Sequence, residues 1–361
     1  MTLTELFSIT IHAPDEEIRA AAKRRWDALA KPLDGLGRFE DILGTIAAVR
    51  GALVPDISKK VLIIMCADNG VTEEGVSQAD QKVTYDVAAL MGRKRSSVGV
   101  MAKHYPLDIL TVDIGINSGD VPEGVLDRKV RRGTADFIKE PAMTEEECLK
   151  AVGTGIELAW SCADKGYGLI ATGEMGIGNT TSSAALISVL SGRKPEELAG
   201  RGAGLTDEGI QRKLSVIREA LEFHFPGRSG GIFSGREAFE ALRKVGGLDI
   251  AGLAGVFIGG AMRGIPVVID GVISAAAALA AGKMVPGCRF AMIASHSGRE
   301  RGTKEALHQL GLVPVIDADL ALGEGSGAVL LLPMLDMAMS LYQEGTFFSE
   351  TGIGQYKRPG L

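Results

Sequence analysis

The chain has 361 residues, of which 46% are hydrophobic and 23% charged, and these are the proportions of a folded globular protein rather than a disordered one. Its net charge of −6 argues against a nucleic-acid partner, which requires a basic surface. The first residues lack the features of a signal peptide, and the apolar runs between 246 and 285 are too short to span a bilayer.

Cysteine and histidine spacing points away from a metal site. The 4 cysteines are widely separated, with no Cys-x-x-Cys pair, and the 5 histidines lack ligand spacing. We therefore expect no metal and no cofactor. Four reduced thiols, together with the missing signal peptide, predict a cytoplasmic protein.

The predicted elements begin with helical periodicity over residues 14–50, interrupted at Pro32, Gly35 and Gly37. From about residue 60, short apolar runs rich in β-branched residues alternate with longer helical stretches. The predicted strands are Val61–Cys66, Leu107–Val112, Gly168–Thr172, Pro266–Ile269, Phe290–Ala294 and Val313–Ile316. Little polar alternation within these runs indicates parallel strands covered on both faces. The alternation predicts an α/β fold, a Rossmann-like doubly wound parallel sheet of about six strands.

The two ends of the chain have a different pattern. Helical periodicity returns after Pro333, through Met334–Gln343. We predict a small helical domain formed by residues 1–50 and 334–361, and a large α/β domain formed by residues 51–333.

Ligands of open parallel sheets bind beyond the carboxyl ends of the strands, so the residues after each apolar run are the candidates for a site. The strongest candidate is Gly173–Thr181, between a strand and a helix. Gly176 and Gly178 allow close backbone approach, and Asn179 and Thr180 offer donors at a helix N-terminus. This suits a monophosphate, although a tight turn with a helix cap is the structural alternative.

Two further segments are compatible with phosphate or ribose binding. Gly202 and Gly204 lie in a glycine-rich run that precedes a helix carrying Lys213, where a plain turn is the alternative reading. Asp270 ends a strand, and its carboxylate either orients a ribose hydroxyl or caps the next helix. His296 follows another strand. Its side chain either forms a structural hydrogen bond or contacts a ligand.

Glu324 lies in a third glycine-rich run, Gly323–Gly327, just before an apolar helix. The flanking glycines leave its carboxylate sterically open, and the positive end of the helix favours the ionised form. The residue is therefore a candidate proton acceptor, with a solvated loop glutamate as the alternative.

Four motifs in order carry a family resemblance. They are Gly173–Thr181, Gly200–Leu205, Ile265–Ser274 and Leu322–Ala328. From about residue 30 to its end, the chain resembles the nicotinate-nucleotide–dimethylbenzimidazole phosphoribosyltransferases. The resemblance implies a pentosyltransferase that moves the phosphoribosyl group of nicotinate mononucleotide to a benzimidazole-type lower-ligand base, giving nicotinate and an α-ribazole phosphate for cobamide assembly. It also implies a homodimer, or a heterodimer with a paralogue.

The resemblance assigns roles to individual residues. Glu324 is the implied catalytic base, and Glu174 is a second catalytic residue that steadies positive charge or binds the acceptor base. The implied phosphate and ribose ligands are Gly176, Gly178, Asn179, Thr180, Gly202, Gly204, Lys213 and Asp270. The implied acceptor-binding residues are Ser77, Tyr85, Asp86, Met175 and Leu322.

Several positions depart from the family pattern. Asn69 replaces a histidine, Asp86 a glutamine, Gly298 a serine and Thr303 a histidine. Changes concentrate in 77–97, the segment that corresponds to the acceptor pocket, so we expect donor binding to be retained and acceptor choice altered. Two alternatives stay open: a subunit of a two-subunit enzyme that activates phenols, and a non-catalytic nucleotide-binding paralogue.

Overall fold

The computed structural model describes residues 1–202, 204–228, 230–231 and 234–358. Its strands are Lys60–Ala67 (β1), Asp108–Gly115 (β2), Leu126–Asp127 (β3), Leu169–Met175 (β4), Val267–Ile269 (β5) and Met292–Ala294 (β6). They form one parallel sheet in the order β3-β2-β1-β4-β5-β6. The predicted Rossmann-like α/β sheet is thereby confirmed, and its strand order reverses between β1 and β4, where a ligand crevice is expected.

One predicted strand is wrong, and one observed strand was missed. Val313–Ile316 forms no strand, because only Ile316 pairs, in an isolated bridge with His296. The remaining member of the sheet is β3, whose two residues pair with Val112 and Asp113 of β2. A two-residue strand is too short to produce a hydrophobic pattern in the sequence.

Helices connect and cover the strands. The α-helices of the described residues are Leu3–Ser8 (α1), Glu16–Ala28 (α2), Arg38–Arg50 (α3), Lys82–Gly92 (α4), Ser97–Met101 (α5), Glu145–Asp164 (α6), Asn179–Ser191 (α7), Pro195–Leu198 (α8), Asp207–His224 (α9), Gly235–Val245 (α10), Leu248–Met262 (α11), Val272–Met284 (α12), Arg301–Leu310 (α13) and Ser326–Glu344 (α14). Short 3-10 helices occupy Gly70–Glu74, Ala102–His104, Pro286–Ala291 and Phe348–Glu350. Across the described ranges, no helix combines the length and the apolar character needed to cross a membrane.

The sheet is buried on both faces because successive side chains of a strand point in opposite directions. In β1, Ile63 and Met65 pack into a core with α6, α7, α11 and α12. Leu62 and Ile64 face the other core, which holds side chains of α2, α3 and α14. The fully buried β1 therefore reads as an unbroken apolar run in the sequence.

Glycines bring α6 and α11 into backbone contact beneath the sheet. A Cβ atom on Gly155 would lie 1.9 Å from the Gly252 carbonyl oxygen, and one on Gly255 would lie 2.0 Å from that of Val152. Only glycine permits this approach. The close packing fixes α11, whose second residue is Asp249, relative to the carboxyl edge of the sheet.

The two chain ends pack together. The rings of Trp26 and Tyr342 lie 4.9 Å apart between centroids, and Leu29 bridges Phe347 in antiparallel fashion. Helix α14 runs without a break through the predicted boundary at 333/334, with Pro333 inside it. The division into a small and a large domain stays a prediction, and its last three residues, 359–361, lie outside the described ranges.

Candidate active site

A cavity of about 330 Å³ opens at the carboxyl ends of β4, β5 and β6. Eight of the predicted site residues line it: Glu174, Met175, Gly176, Asn179, Thr180, Gly202, Asp270 and Leu322. A wider groove of about 900 Å³ beside Met1 and the start of α6 is lined by none of the predicted residues. The smaller cavity is therefore the candidate active site.

Glu324 directly follows Gly323, which lines this cavity, but is not itself among the lining residues. Its φ of 60° is left-handed, as are those of Gly323 and Gly325, at 78° and 84°. Such a conformation is uncommon for a residue with a side chain and is held by its surroundings. The Val98 N–H, in the first turn of α5, donates to Glu324 Oε2 at 2.9 Å, and this bond orients the carboxylate.

Asp270 holds the backbone of the Glu324 loop. Its carboxylate accepts from the N–H groups of Gly325, Gly327 and Ala328, at 3.2, 2.8 and 3.0 Å. The residue thus caps α14 and not the helix that follows it in the chain. Because both carboxylate oxygens already accept hydrogen bonds, its contact with a ribose hydroxyl stays a prediction.

His296 packs against the same loop. Ser295 Oγ donates to the Ile269 carbonyl oxygen at 2.6 Å and lies 2.9 Å from His296 Nδ1. A hydroxyl has one proton, so in this pair Nδ1 is the donor and Ser295 Oγ the acceptor. A Cβ atom on Gly327 would lie 2.0 Å from Nδ1, so this contact requires glycine. His296 also lines the cavity. The same side chain therefore packs against the Glu324 loop and faces the space in which a ligand would bind.

Glu174 is the second-to-last residue of β4 and is 8% exposed. Asn179 Nδ2 donates both to its Oε2 atom and, at 2.9 Å, to Oδ2 of Asp249. Burial raises the pKa of Glu174 to about 8, and the negative charges of Asp249 and Asp270 add to the effect. A carboxyl group with this pKa is protonated at neutral pH. Of its two implied roles, this favours hydrogen bonding to the acceptor base over steadying a positive charge.

Lys213 brings the two glycine-rich segments together. Its buried Nζ atom donates to Thr180 Oγ1 at 3.0 Å and to the Gly200 carbonyl oxygen at 3.1 Å. Burial lowers the pKa of Lys213 to about 8, while the charge of Glu300 opposes the shift. The Gly202 N–H donates to Glu300 Oε1 at 3.0 Å. Lys213 does not line the cavity, but through Thr180 it places a cation behind the N-terminus of α7, which does line the cavity and suits a phosphate.

The remaining predicted residues lie outside the lining of the cavity. Gly178 is the N-cap of α7, and Gly204 lies in the turn before α9. Ser77 Oγ accepts from the Ala79 N–H at 3.2 Å, and Asp86 pairs with Lys82 on the exposed side of α4. Tyr85 packs partly buried against the core that contains α14. These placements leave the roles of all five residues as predictions.

Lining residues that the sequence reasoning left unassigned include Ala79 and Val83 from segment 77–97, and Ser274 and Arg299. Arg299 lies beside the two motif positions Gly298 and Thr303, which also line the cavity. The sequence feature that could have identified Arg299 as a cavity residue is its position shortly after a predicted strand. The direction of a side chain on α4 or α12, by contrast, depends on how the helix is rotated against the sheet.

Comparisons with known proteins agree over almost the whole chain. The family model described as phosphoribosyltransferase matches residues 11–353. The nicotinate-nucleotide–dimethylbenzimidazole phosphoribosyltransferase of Acetivibrio thermocellus is 43% identical over 335 residues, 93% of each chain. That of Ruminiclostridium cellulolyticum is 43% identical over 341 residues, 94% of this chain and 95% of the relative. The crystal structure of CobT from Thermus thermophilus superimposes with a TM-score of 0.87 at 38% identity, covering 94% of this chain and 100% of that one. The chain therefore belongs to the nicotinate-nucleotide–dimethylbenzimidazole phosphoribosyltransferase family.

Proposed function

We propose that the chain transfers the phosphoribosyl group of nicotinate mononucleotide to a benzimidazole-type base, with release of nicotinate and formation of α-ribazole phosphate. The observation that carries this is one cavity that is lined both by Gly323, the residue before Glu324, and by Thr180, whose hydroxyl accepts from Lys213. A proton acceptor and a phosphate-suited helix terminus thus border one cavity. Family membership supplies the substrate class.

The chemistry of the reaction assigns a task to each group. The nicotinate of the donor is a quaternised pyridinium, so it leaves without an acid catalyst. One acceptor nitrogen attacks C1′ of the ribose from the face opposite the leaving group, which converts a β linkage to an α linkage. The other acceptor nitrogen loses its proton, which passes to the Glu324 carboxylate. A positioned base of this kind contributes about 10²–10⁴-fold.

Binding of the two substrates supplies the rest of the rate. Lys213 and the first turn of α7 hold the donor phosphate at one end of the cavity, and the protonated Glu174 donates a hydrogen bond near the acceptor. Holding both reactants in line converts a bimolecular step into an effectively unimolecular one. Relatives that share about 40% identity carry the name of this one enzyme, so neither a phenol-activating partner subunit nor a non-catalytic role is needed.

We further propose that the chain is a homodimer acting in the cytoplasm. The four free cysteines are consistent with a reducing compartment. Helix α14 carries an exposed apolar stripe at helical spacing, formed by Leu330, Met334, Met337 and Leu341. A contiguous apolar face of this kind commonly marks a protein interface.

The test is a nicotinate-release assay. The purified protein is incubated with nicotinate mononucleotide and a panel of benzimidazoles, purines and phenols. We expect turnover with benzimidazoles, and failure to release nicotinate with every acceptor would overturn the proposal. Glu324→Gln lowers kcat by about 10²–10⁴-fold, because the amide cannot accept the proton, while donor affinity stays nearly unchanged.

The matched control is Glu344→Gln, an exposed glutamate at the other end of α14, which leaves kcat unchanged. Wild-type turnover in the Glu324→Gln variant would refute the role of this residue as the base.

A further inference from the structure

Asp249 lies behind the cavity wall, completely buried at the start of α11. It is not among the residues that line the cavity. Its connection to the cavity is the Asn179 side chain, whose Nδ2 atom donates to Oδ2 of Asp249 and to Oε2 of Glu174. The two hydrogens of one amide group are thus divided between two buried carboxyl groups. Among the described residues, no cation forms an ion pair with either carboxyl.

We propose that Asp249 is a positioning residue, which acts through Asn179 to fix the orientation and the charge state of the Glu174 carboxyl. The proposal rests on the proposed function for the role of Glu174 in the reaction. The link between the two carboxyl groups is independent of that function and is measured separately below.

Two negative charges separated by one amide nitrogen repel strongly in a buried site, so one carboxyl group retains its proton. Asp249 lies in the first turn of α11, where the helix dipole favours the ionised form. Burial raises the pKa of Asp249 to about 6 and that of Glu174 to about 8. At neutral pH the proton therefore resides on Glu174.

Other ionisable groups of the neighbouring elements interact with Glu174, with Asp249 or with Asp270. They are Cys66 of β1 and Asp68 after it, Asp270 after β5, His296 after β6 and Glu324 before α14. The charge of Asp270 adds to that of Asp249 in raising the pKa of Glu174, whereas the hydrogen bonds from the Asn179 side chain and from the backbone at Glu324 lower it. Protonated Glu174 can donate a hydrogen bond in the cavity. It also adds no negative charge beside the anionic substrate, nicotinate mononucleotide.

The first test compares the pH dependence of kcat/KM in two variants that shift it in opposite directions. Asp249→Asn keeps an oxygen that accepts from Asn179 but removes the charge, so the pKa of Glu174 falls and activity is lost at lower pH, by roughly 1 pH unit. Asn179→Ala removes the donor that favours ionised Glu174, so the basic limb moves to higher pH. Asp113→Asn, which removes a buried carboxylate of β2 that does not touch Asn179, leaves the profile in place.

The second test reads the proton directly. Infrared difference spectroscopy of the full-length protein follows the carbonyl band of a protonated carboxyl group during a pH titration. We expect a band that is absent in Glu174→Gln and that titrates at lower pH in Asp249→Asn than in wild type.

These measurements separate the possible failures. An unmoved infrared titration in Asp249→Asn, or equal rate losses at every pH in both variants, would mean that Asp249 is merely structural and would overturn the proposal. If Asp249→Asn does not fold, the shift of Asn179→Ala to higher pH decides the matter. An inactive protein with the expected infrared titration would contradict the proposed function and leave the carboxyl link standing.

Discussion

At the scale of single residues, the side chain of Lys213 joins two separate segments of the chain. It lies on α9 and reaches Thr180, at the start of α7, and the Gly200 carbonyl oxygen. Its amino group has no contact with solvent that would stabilise the charge, and burial consequently lowers its pKa to about 8. A lysine in this state keeps its charge at neutral pH and loses it just above.

This predicts the pH dependence of donor binding. As pH rises through about 8, the free enzyme loses the positive charge of Lys213, so the KM for nicotinate mononucleotide increases, roughly tenfold per pH unit. Steady-state nicotinate release, measured between about pH 6 and about pH 10, gives the donor KM. Lys213→Arg keeps its charge over this range and leaves only the increase that ionisation of Glu174 causes, whereas exposed Lys150→Gln behaves as wild type. A donor KM that does not change with pH in the wild type would contradict the prediction.

At the scale of elements, the positions of α6 and α11 depend on glycines rather than on large apolar side chains. Gly155 and Gly255 lie where the two backbones touch, and Asp249 is carried on the helix so placed. Gly153, two residues before Gly155 on α6, has open space at its Cβ position, with the nearest atom, on Met1, 3.9 Å away. The same substitution therefore has opposite effects at two positions of one helix.

We expect Gly155→Ala to lower the free energy of unfolding by about 2–3 kcal/mol, because its methyl group overlaps the backbone of α11. Gly153→Ala, the matched control, raises it by about 0.5–1 kcal/mol through better helix propensity. Urea unfolding monitored by circular dichroism measures both. Equal stabilities of the two variants would show that α6 and α11 are not in backbone contact.

At the scale of the whole molecule, four of the exposed large apolar side chains of the described residues lie on one helix, the one that follows the Glu324 loop. Met337 is 74% exposed in the middle of the α14 stripe, and Val100 of the adjacent α5 is 49% exposed. The Val98 N–H of α5 also holds Glu324. A dimer formed through this surface would therefore place the interface next to the base.

Met337→Glu tests the homodimer. A charge at the centre of the stripe is costly to bury, so the variant becomes monomeric at micromolar concentration while wild type remains dimeric. Size-exclusion chromatography with light scattering gives the mass of each. Gln343→Glu adds the same charge to a different face of α14 and leaves the dimer intact. Dimeric Met337→Glu, or a monomeric wild type, would rule out the proposed interface.

The sequence by itself determined the fold class and the location of the chemistry. Unbroken apolar runs predicted six strands, and five of these are present in the sheet, because a strand buried on both faces has no polar side to alternate with. Glycine-rich segments after these runs marked the loops around Thr180, Gly202 and Glu324, since close backbone approach and left-handed conformations need glycine. These features are local, and local patterns are visible in a sequence.

Tertiary structure alone decided which partners meet. Asn179 joins Glu174 to an aspartate 70 residues further along, and Asp270 caps a helix whose Gly327 lies 57 residues away. The run Val313–Ile316 has the composition of a strand yet lies outside the sheet, while two residues of β3 complete it. Likewise, Asp86 projects from the exposed side of α4, and Val83, one turn earlier, lines the cavity. Side-chain direction and residue pairing depend on contacts between distant segments. Hydrophobic periodicity is a local property, so it does not predict those contacts.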